Sequence, residues 1–401
     1  MNDGKLAIDG GEPVRSTFLP FGVPCLGEEE IREVVDTLRS RWIGTGPKVQ
    51  RFEEEFAAYI GAKYAIAVNS CTAGLFLSLT ALQVGPGDEV ITTPLTFAAT
   101  VNVIEHVGAR PVLIDIDPMT LNLDPGLVER AITPRTKAII PVHFGGLACN
   151  MEALQAITGR HHLAIVEDAA HAVGTRYHGK MVGALGNLTA FSFYANKNLT
   201  TAEGGMVTTD DPVLAEKIQL LRLHGLSRDA WKRFATRQLM KSDILLPGYK
   251  CNMPDLAAAI GIHQLRKQER FLEIRERYAR MYDEAFADLP VRFQPRPLDL
   301  RQNRHSLHLY VIILERGRRR AQRDRVIDAL LKENIGATLH YRAIHTHPFY
   351  RQKYHYKPAD YPRAYQVGEH ILSLPLTPGM NDRDADDVMT AVRKVARAYS
   401  N

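Results

Sequence analysis

The stretch Ala190–Val207, AFSFYANKNLTTAEGGMV, contains a single lysine, Lys197. Alternating residues up to Phe193 are typical of the end of a buried strand, and the two glycines before Met206 lead into a second short strand. The sequence therefore predicts that Lys197 lies on a short, confined loop between two strands. Burial in such a loop lowers the pKa of a lysine and makes its amine reactive toward carbonyl groups. A solvated loop lysine is the ordinary alternative, because most lysines are exposed.

A short apolar strand upstream of this loop ends in a carboxylate. The run His162–Glu167 precedes Asp168, and ligands of open α/β sheets bind at the carboxyl ends of the strands. Asp168 and Lys197 can therefore converge on one ligand. Pyridoxal phosphate (PLP) requires such a pair, because the lysine binds its aldehyde and the carboxylate keeps its ring nitrogen protonated. A structural ion pair would show the same spacing, so the pair alone leaves both interpretations open.

A strand, a group of small polar residues and an apolar helix follow one another near residue 70. Ala62–Val68 is typical of the strand, and Asn69–Thr72 supplies cap residues for a helix over Ala73–Leu82. Backbone N–H groups at the positive end of such a helix form a phosphate site. An ordinary capped helix would have the same pattern.

Composition and charge exclude several classes of protein. The chain has 401 residues, 45% of them hydrophobic, which suffices for a large core. Its apolar runs are far shorter than the roughly 20 residues of a membrane span, and its start lacks a secretory pattern, so we expect a cytoplasmic protein without a membrane partner. The four cysteines are dispersed and show no metal-like spacing.

The charge balance is mildly basic. A formal net charge of +5 favours an anionic substrate. The basic run Arg316–Arg325 is interrupted by Asp324 and has no interleaved aromatic residues. It indicates a solvated helix start rather than a nucleic-acid surface, so we expect no nucleic-acid partner.

The order of elements predicts an α/β fold with a mainly parallel central sheet. Strands at Pro111–Ile116 and Lys137–Val142 alternate with helices near Pro125–Ala131 and Met151–Arg160. From about Val291 the pattern changes to a smaller α+β region. The elements predicted there are a strand over His305–Leu314, a helix over Ala321–Glu333, a strand around Thr338–Tyr341 and a final helix over Arg383–Tyr399.

Two further helices complete this division. One covers Glu28–Arg39 and has Ile31, Val34, Val35 and Leu38 on one face. The other opens in Gly248–Gly261 and continues to about Ala287, long enough to link two domains. We expect a large domain with an extended arm over residues 1–250, and a linking helix with a small α+β domain over residues 251–401. A long loop over the site is expected at Ser227–Pro247.

Four motifs resemble the DegT/DnrJ/EryC1/StrS family of PLP-dependent sugar aminotransferases. They are SFYANKNLTTAEGG, VEDAAHAVGT, GDEVITTPLTFAAT and GYKCNMPDLAAAIG. The similarity runs from Phe18 to the motif SLPLTPGM at Ser373, in the family's order. The resemblance implies the PLP-dependent transferase fold of type I, which is aspartate aminotransferase-like, and a homodimer with shared active sites.

Within the family the sequence is most similar to enzymes that aminate UDP-4-keto-L-arabinose. The motifs that carry this similarity are EDAAHAVGT, KAIIPVH, ATLHYRAIHT and SLPL. They imply amino transfer from L-glutamate to a nucleotide-linked 4-keto sugar, with UDP as the expected nucleotide. Phe97 departs from the tryptophan of those enzymes, so a 4-keto-6-deoxyhexose remains an alternative to the pentose. Aminotransferases for 3-keto sugars remain a second alternative.

The resemblance also implies roles for individual residues. Those implied to bind the cofactor are Thr72, Ala73, Phe97, Asp168, His171, Ser192, Lys197 and Asn252. Thr72, Ala73 and Ser192 would hold the phosphate, Phe97 would stack on the ring and His171 would lie near the ring hydroxyl. Asn252 would reach the cofactor phosphate of the other subunit. Lys197 and Asp168 are the expected catalytic residues.

Two weaker candidates would contact the substrate, Lys250 and His345. His345 also belongs to a histidine-rich segment with His340 and His347 that superficially suggests a metal site. No cysteine or paired carboxylate accompanies these histidines, so we expect no metal.

Two rival functions use the same fold or the same cofactor. Sugar dehydratases related to this family replace the cofactor-binding lysine with histidine, so Lys197 argues against that reaction. A PLP-binding sensor without turnover would not need Lys197, Asp168, Thr72, Ser192 and Asn252 together. The sequence therefore favours an aminotransferase.

Overall fold

A computed structural model describes residues 5–227, 242–297, 299, 301–315 and 320–399. Most of the predicted loop Ser227–Pro247 and part of the basic run Arg316–Arg325 lie outside the described residues. Among the helices of these ranges, none combines the length and apolar character that crossing a bilayer requires.

Strands and helices alternate from residue 64 to residue 168. The helices are α1 (Glu28–Ser40), α2 (Pro47–Ile60), α3 (Cys71–Ala81), α4 (Ala98–His106), α5 (Pro125–Ala131), α6 (Met151–His161), α7 (Pro212–Leu221), α8 (Asp255–Arg266), α9 (Gln268–Ala285), α10 (Arg320–Lys332), α11 (Pro348–Tyr354), α12 (Pro362–His370) and α13 (Asp382–Tyr399). The strands are β1 (Tyr64–Val68), β2 (Glu89–Thr92), β3 (Arg110–Leu113), β4 (Thr136–Ile140), β5 (Ala164–Asp168), β6 (Arg176–Tyr177), β7 (Lys180–Met181), β8 (Leu188–Ser192), β9 (Gly205–Thr209), β10 (Val291–Arg292), β11 (Tyr310–Leu314) and β12 (Ile371–Leu374).

The large sheet has seven strands in the order β1-β9-β8-β5-β4-β2-β3. Strand β9 pairs antiparallel with both β1 and β8, and the other neighbours pair in parallel. Strands β8 and β9 are buried at every position because helices cover the sheet. The predicted α/β fold with a mainly parallel central sheet is confirmed.

Aromatic packing fixes the end of β8 from which the lysine loop departs. Phe56 of α2 packs against Phe191 and Phe193, with ring centroids 5.2 and 5.4 Å apart. Phe52, one helical turn earlier, also contacts Phe193 at 5.4 Å. Each of these buried rings contributes about 1.5–3 kcal/mol by burial alone, so the start of the loop is held firmly.

The C-terminal part has a three-stranded antiparallel sheet, β10-β11-β12. The predicted strand at Thr338–Tyr341 is wrong, because only Thr338 forms a bridge, to Ser373 of β12. The predicted strand at His305–Leu314 begins late, at Tyr310. Its first residues bond elsewhere: Ser306 donates through its N–H to the carbonyl of Gly146, near the large sheet. The domain division at residue 250 stays a prediction.

Helix α1 forms as predicted, but Ile31 and Leu38 on its apolar face are not covered by the described part of the chain. Ile31 and Leu38 are each 53% exposed, whereas Glu30 and Thr37 are buried. Glu30 accepts a bond of 2.7 Å from Nζ of Lys267, which pairs the buried carboxylate. The predicted long linking helix also divides at this lysine, into α8 and α9.

Candidate active site

The loop between β8 and β9 holds Lys197 in a cavity of about 360 Å³. Phe193 N–H donates to the carbonyl of Gly204 at 2.9 Å, and Thr201 N–H donates back to the carbonyl of Phe193 at 2.9 Å. Lys197 N–H donates to the carbonyl of Tyr194 at 3.0 Å. These bonds close the loop at its base and fix the backbone that carries the lysine.

Lys197 is half-buried, and its amine is partly deprotonated near neutral pH. Burial lowers its pKa to about 8, against the opposing effects of Cys71 and Asp168. Its Nζ lies 3.4 Å from Nε2 of His308. A lysine with this pKa supplies free amine near neutral pH, which a solvated lysine does not.

Asp168, at the end of β5, reaches the same cavity. Its carboxylate accepts a bond of 2.7 Å from the Thr100 hydroxyl and one of 3.1 Å from the Ala170 N–H. The thiol of Cys71 lies 3.9 Å from the same carboxylate. Burial raises the pKa of Asp168, and these two hydrogen bonds partly oppose that effect. The site therefore holds a desolvated carboxylate that a cationic ligand group would stabilise.

The N-terminus of α3 borders the cavity. Ser70 is the N-cap residue, and its Oγ accepts from the Ala73 N–H at 3.1 Å, as predicted. The first N–H groups of a helix have no acceptor within the helix and point toward its N-terminal end. Strand β9 approaches this turn closely at Gly205, where a Cβ atom would lie 2.6 Å from Ser70 C and 2.7 Å from Cys71 N. A glycine at this position is therefore required to bring the helix end beside the lysine loop.

His171 and Tyr341 form another wall of the cavity. The Gly145 N–H donates to Nδ1 of His171 at 3.2 Å. A neutral His171 therefore carries its proton on Nε2, which donates to the Tyr341 hydroxyl at 3.1 Å. Burial, and then the charges of Lys197 and His340, hold the pKa of His171 well below its ordinary value. Sequence reasoning missed Tyr341 and also His308, because their positions depend on contacts between distant parts of the chain.

Most of the predicted site residues meet in this one cavity. Those that line it are Thr72, Phe97, Asp168, His171, Ser192 and Lys197. Ala73 is buried in the first turn of α3. Lys250 and Asn252 do not line it; they bond to each other at 2.6 Å through Nζ and Oδ1. Asn252 also donates to the Thr45 hydroxyl at 2.5 Å.

His345 does not line this cavity, and its predicted substrate contact stays a prediction. His345 is fully buried and packs on Tyr361 with ring centroids 5.0 Å apart. In its place His340 lines the cavity, and its Nδ1 lies 3.0 Å from the Ser373 hydroxyl. His347 bonds to the backbone of Arg342. The described residues contain no group of three or more His, Cys, Asp or Glu side chains that could hold a metal ion.

These residues fit pyridoxal phosphate. The cavity combines a reactive lysine, a buried carboxylate and a helix N-terminus, which match the aldehyde, the ring nitrogen and the phosphate. When bound, PLP acts as an electron sink for the substrate carbon that loses a proton. Lys197 would bind the aldehyde and move that proton, Asp168 would keep the ring nitrogen charged, and the N-terminus of α3 would bind the phosphate. The fold and the cavity define a PLP-dependent transferase of fold type I.

Known proteins narrow this class further. The sequence profile of the DegT/DnrJ/EryC1/StrS aminotransferase family matches residues 24–393. The spore coat polysaccharide biosynthesis protein SpsC of Bacillus subtilis (strain 168) is 51% identical over 384 residues, which cover 96% of this chain and 98% of SpsC. The chain belongs to the DegT/DnrJ/EryC1/StrS aminotransferase family.

Solved structures agree with this assignment. Spr1654 from Streptococcus pneumoniae in its PLP-form superposes with a TM-score of 0.88, at 35% identity over 95% of this chain and 99% of that one. PseC, a Helicobacter pylori aminotransferase involved in the biosynthesis of pseudoaminic acid, superposes with a TM-score of 0.86, at 30% identity over 96% of this chain and 100% of that one. The protein is thus a PLP-dependent sugar aminotransferase.

Capture of the cofactor should depend on pH through the amine of Lys197. Only the free amine attacks an aldehyde, and with a pKa of about 8 its fraction rises from about one tenth at pH 7 to about nine tenths at pH 9. We expect the rate at which the full-length chain, freed of cofactor, takes up PLP to rise about ninefold over this range. Stopped-flow absorbance of the bound cofactor measures the rate. A midpoint near the ordinary lysine pKa of about 10.4 would contradict the buried placement of Lys197.

Proposed function

We propose that the enzyme transfers an amino group from L-glutamate to a nucleotide-linked 4-keto sugar, with UDP as the nucleotide. The observation that carries the proposal is the meeting of Lys197 and Asp168 in one cavity. The dehydratases of this fold have histidine at the lysine position, so the pair favours amino transfer. The motifs shared with the UDP-4-keto-L-arabinose enzymes support ring carbon 4 as the position aminated.

The exposed side of the cavity suits a sugar ring. Phe97 and Tyr194 line it and are 60% and 48% exposed, so their aromatic faces are available to the apolar face of a sugar. The net charge of +5 favours a ligand that carries a pyrophosphate. Pentose and 6-deoxyhexose differ by one exocyclic carbon, a group worth about 1–3 kcal/mol in an apolar pocket.

A panel of keto sugars tests this assignment. The cofactor is first converted to its amino form with L-glutamate, and UDP- and dTDP-linked 3-keto and 4-keto sugars are then added separately. We expect UDP-linked 4-keto sugars to return the cofactor to its aldehyde form fastest, as followed by absorbance. Aspartate and alanine serve as control donors. Turnover confined to 3-keto sugars, or to carbonyl compounds without a nucleotide, would overturn the proposed substrate.

A homodimer with shared active sites is part of the same proposal. Asn252 lies outside the cavity of its own chain, as expected of a residue that serves the site of a second subunit. Ile31 and Leu38 on the apolar face of α1 are exposed, and so are Val23 and Ile43, which precede and follow this helix in the chain. Exposed apolar residues on one helix face are typical of an interface.

Mixing two inactive variants should restore activity if the sites are shared. One chain carries Lys197→Ala and the other Asn252→Ala, and the two are unfolded together and refolded. A mixed dimer then has one site with both native residues, so random pairing gives about a quarter of the wild-type number of intact sites. Activity is measured for each variant alone, for the refolded mixture, and for the mixed dimers isolated through two different tags, in which one of the two sites is intact. Mixed dimers without activity, or active monomers at high dilution, would refute a shared site.

A further inference from the structure

The turn before β11 holds His308 against the reactive lysine. His308 is 5% exposed, and its Nε2 lies 3.4 Å from Nζ of Lys197. The preceding residue, Leu307, has a φ of 52°, a region that non-glycine residues rarely adopt. Arg275 donates to the carbonyl of Leu307 at 3.1 Å, and the Leu307 N–H donates to Nδ1 of His305 at 3.0 Å. The surrounding side chains thus stabilise an unfavourable backbone conformation where it directs His308 into the site.

Asn198 determines which nitrogen of His308 carries the proton. The Asn198 Nδ2 donates to the carbonyl of Ser306 at 2.8 Å, which leaves its Oδ1 facing Nδ1 of His308 at 3.2 Å. In the reverse orientation of the amide, Oδ1 of Asn198 would face the carbonyl oxygen of Ser306, and two acceptors cannot form a hydrogen bond. Nδ1 of His308 must therefore donate, and in a neutral ring Nε2 keeps its lone pair. Nε2, the nitrogen that carries this lone pair, is the atom that faces Lys197.

The surroundings keep His308 neutral. Burial, and then the charge of Lys197, hold its pKa well below the ordinary value. The ionisable groups that face His308 and Lys197 are Cys71, Asp168, His171, Arg275, His340 and Tyr341, with Tyr194 and Glu203 at the exposed side of the cavity. The orienting residue is an amide, not a carboxylate, so nothing on the Nδ1 side favours a second proton on the ring.

We propose that His308 is a positioning residue for Lys197, oriented by Asn198 so that its Nε2 accepts a hydrogen bond from the lysine nitrogen. The bond directs the amine and stabilises the ammonium that forms when Lys197 takes up a proton from the substrate. His308 thus relates to Lys197 as the orienting group of a catalytic triad relates to its base. The proposal rests on the amino-transfer activity and not on the identity of the sugar.

The proposal gives opposite effects on two rates. An acceptor favours the protonated lysine, so His308→Phe should lower the pKa of Lys197 by about one unit. With a wild-type pKa of about 8, the free amine at pH 7 would rise from about one tenth to about one half. We expect PLP capture at pH 7 to become about fivefold faster while the glutamate half-reaction becomes about tenfold slower. A defect of packing alone would slow both.

Three variants complete the experiment. His308→Gln retains an acceptor and should shift the capture midpoint by less than half as much as His308→Phe. Asn198→Leu removes the acceptor that keeps the proton on Nδ1 of His308. It should therefore shift the midpoint in the same direction as His308→Phe. This variant keeps the test decisive if the phenylalanine variant does not fold. His305→Asn is the matched control, because it alters a buried histidine of the same turn yet can still accept from the Leu307 N–H. Its capture midpoint should equal the wild-type value.

The capture midpoint decides the outcome. It involves neither amino donor nor sugar, so it can be interpreted even if the proposed substrate is wrong. Equal midpoints in wild type and a folded His308→Phe variant would overturn the proposal. Equal shifts in His308→Phe and His308→Gln would overturn it as well, because they would show that the acceptor is irrelevant.

Discussion

Replacing Lys197 with alanine is expected to lower amino transfer by at least about 10⁴-fold. The side chain is expected both to bind the cofactor aldehyde and to move the proton, and loss of a general base alone costs up to about 10⁴-fold. The fold should survive, since burial lowers the pKa of Lys197 to about 8 and its charged form is therefore unfavourable in the native state. Single-turnover absorbance with L-glutamate measures the rate, and thermal unfolding measures the stability.

Lys180→Ala is the matched control for this variant. Lys180 lies in the short strand β7 and is exposed, so its loss should leave both the rate and the unfolding temperature unchanged. A Lys197→Ala enzyme with more than about one hundredth of the wild-type rate would show that another group moves the proton, because a positioned base contributes at least about 10²-fold.

Asp168→Asn is expected to reduce the half-reaction with glutamate by about 10³-fold while most cofactor binding is retained. A neutral amide cannot hold the ring nitrogen in its charged form. The local hydrogen bonds can persist, because the amide oxygen can accept from the Ala170 N–H and the amide nitrogen can donate to Oγ of Thr100. Thr100 can then donate to the Thr96 hydroxyl, 2.7 Å away.

This prediction separates an electronic role from a structural one. Cofactor affinity and the unfolding temperature should change little, whereas the rate of the half-reaction should fall steeply. Asp168→Glu serves as a second variant, since it keeps the charge but displaces it by one methylene. Half-reaction rates near the wild-type value in Asp168→Asn would refute the assigned role, and complete loss of folding would show that Asp168 serves mainly to satisfy the buried Thr100 and Ala170 groups.

Local sequence patterns predicted the part of the site that lies at strand ends. The strand ending in Asp168, the loop that holds Lys197 and the capped start of α3 each depend on neighbouring residues, and the structure shows each of them. Hydrophobic periodicity and turn-forming residues are enough to predict such features. The parallel sheet followed from the alternation of strands and helices for the same reason.

Features that depend on distant contacts were not predictable in this way. His308 acquires its position from bonds between the Ser306 segment and the turn at Gly146, far earlier in the chain. In the segment ATLHYRAIHT the resemblance favoured His345, whereas His340 and Tyr341 line the cavity. The direction in which the side chains of His340 and Tyr341 point depends on tertiary packing, which the hydrophobic periodicity of the sequence does not reveal. The exposure of the apolar face of α1 was likewise not predictable, since an apolar stripe has the same sequence pattern whether it packs on the core or on another molecule.

The most direct test of the account is to locate the covalent bond between the cofactor and the chain. The PLP-loaded protein is reduced with borohydride, digested and mapped by mass spectrometry. We expect one pyridoxyl group per chain, on Lys197, and none in a Lys197→Ala protein treated identically. A pyridoxyl group on Lys250 or on any other lysine, with Lys197 unmodified, would contradict it.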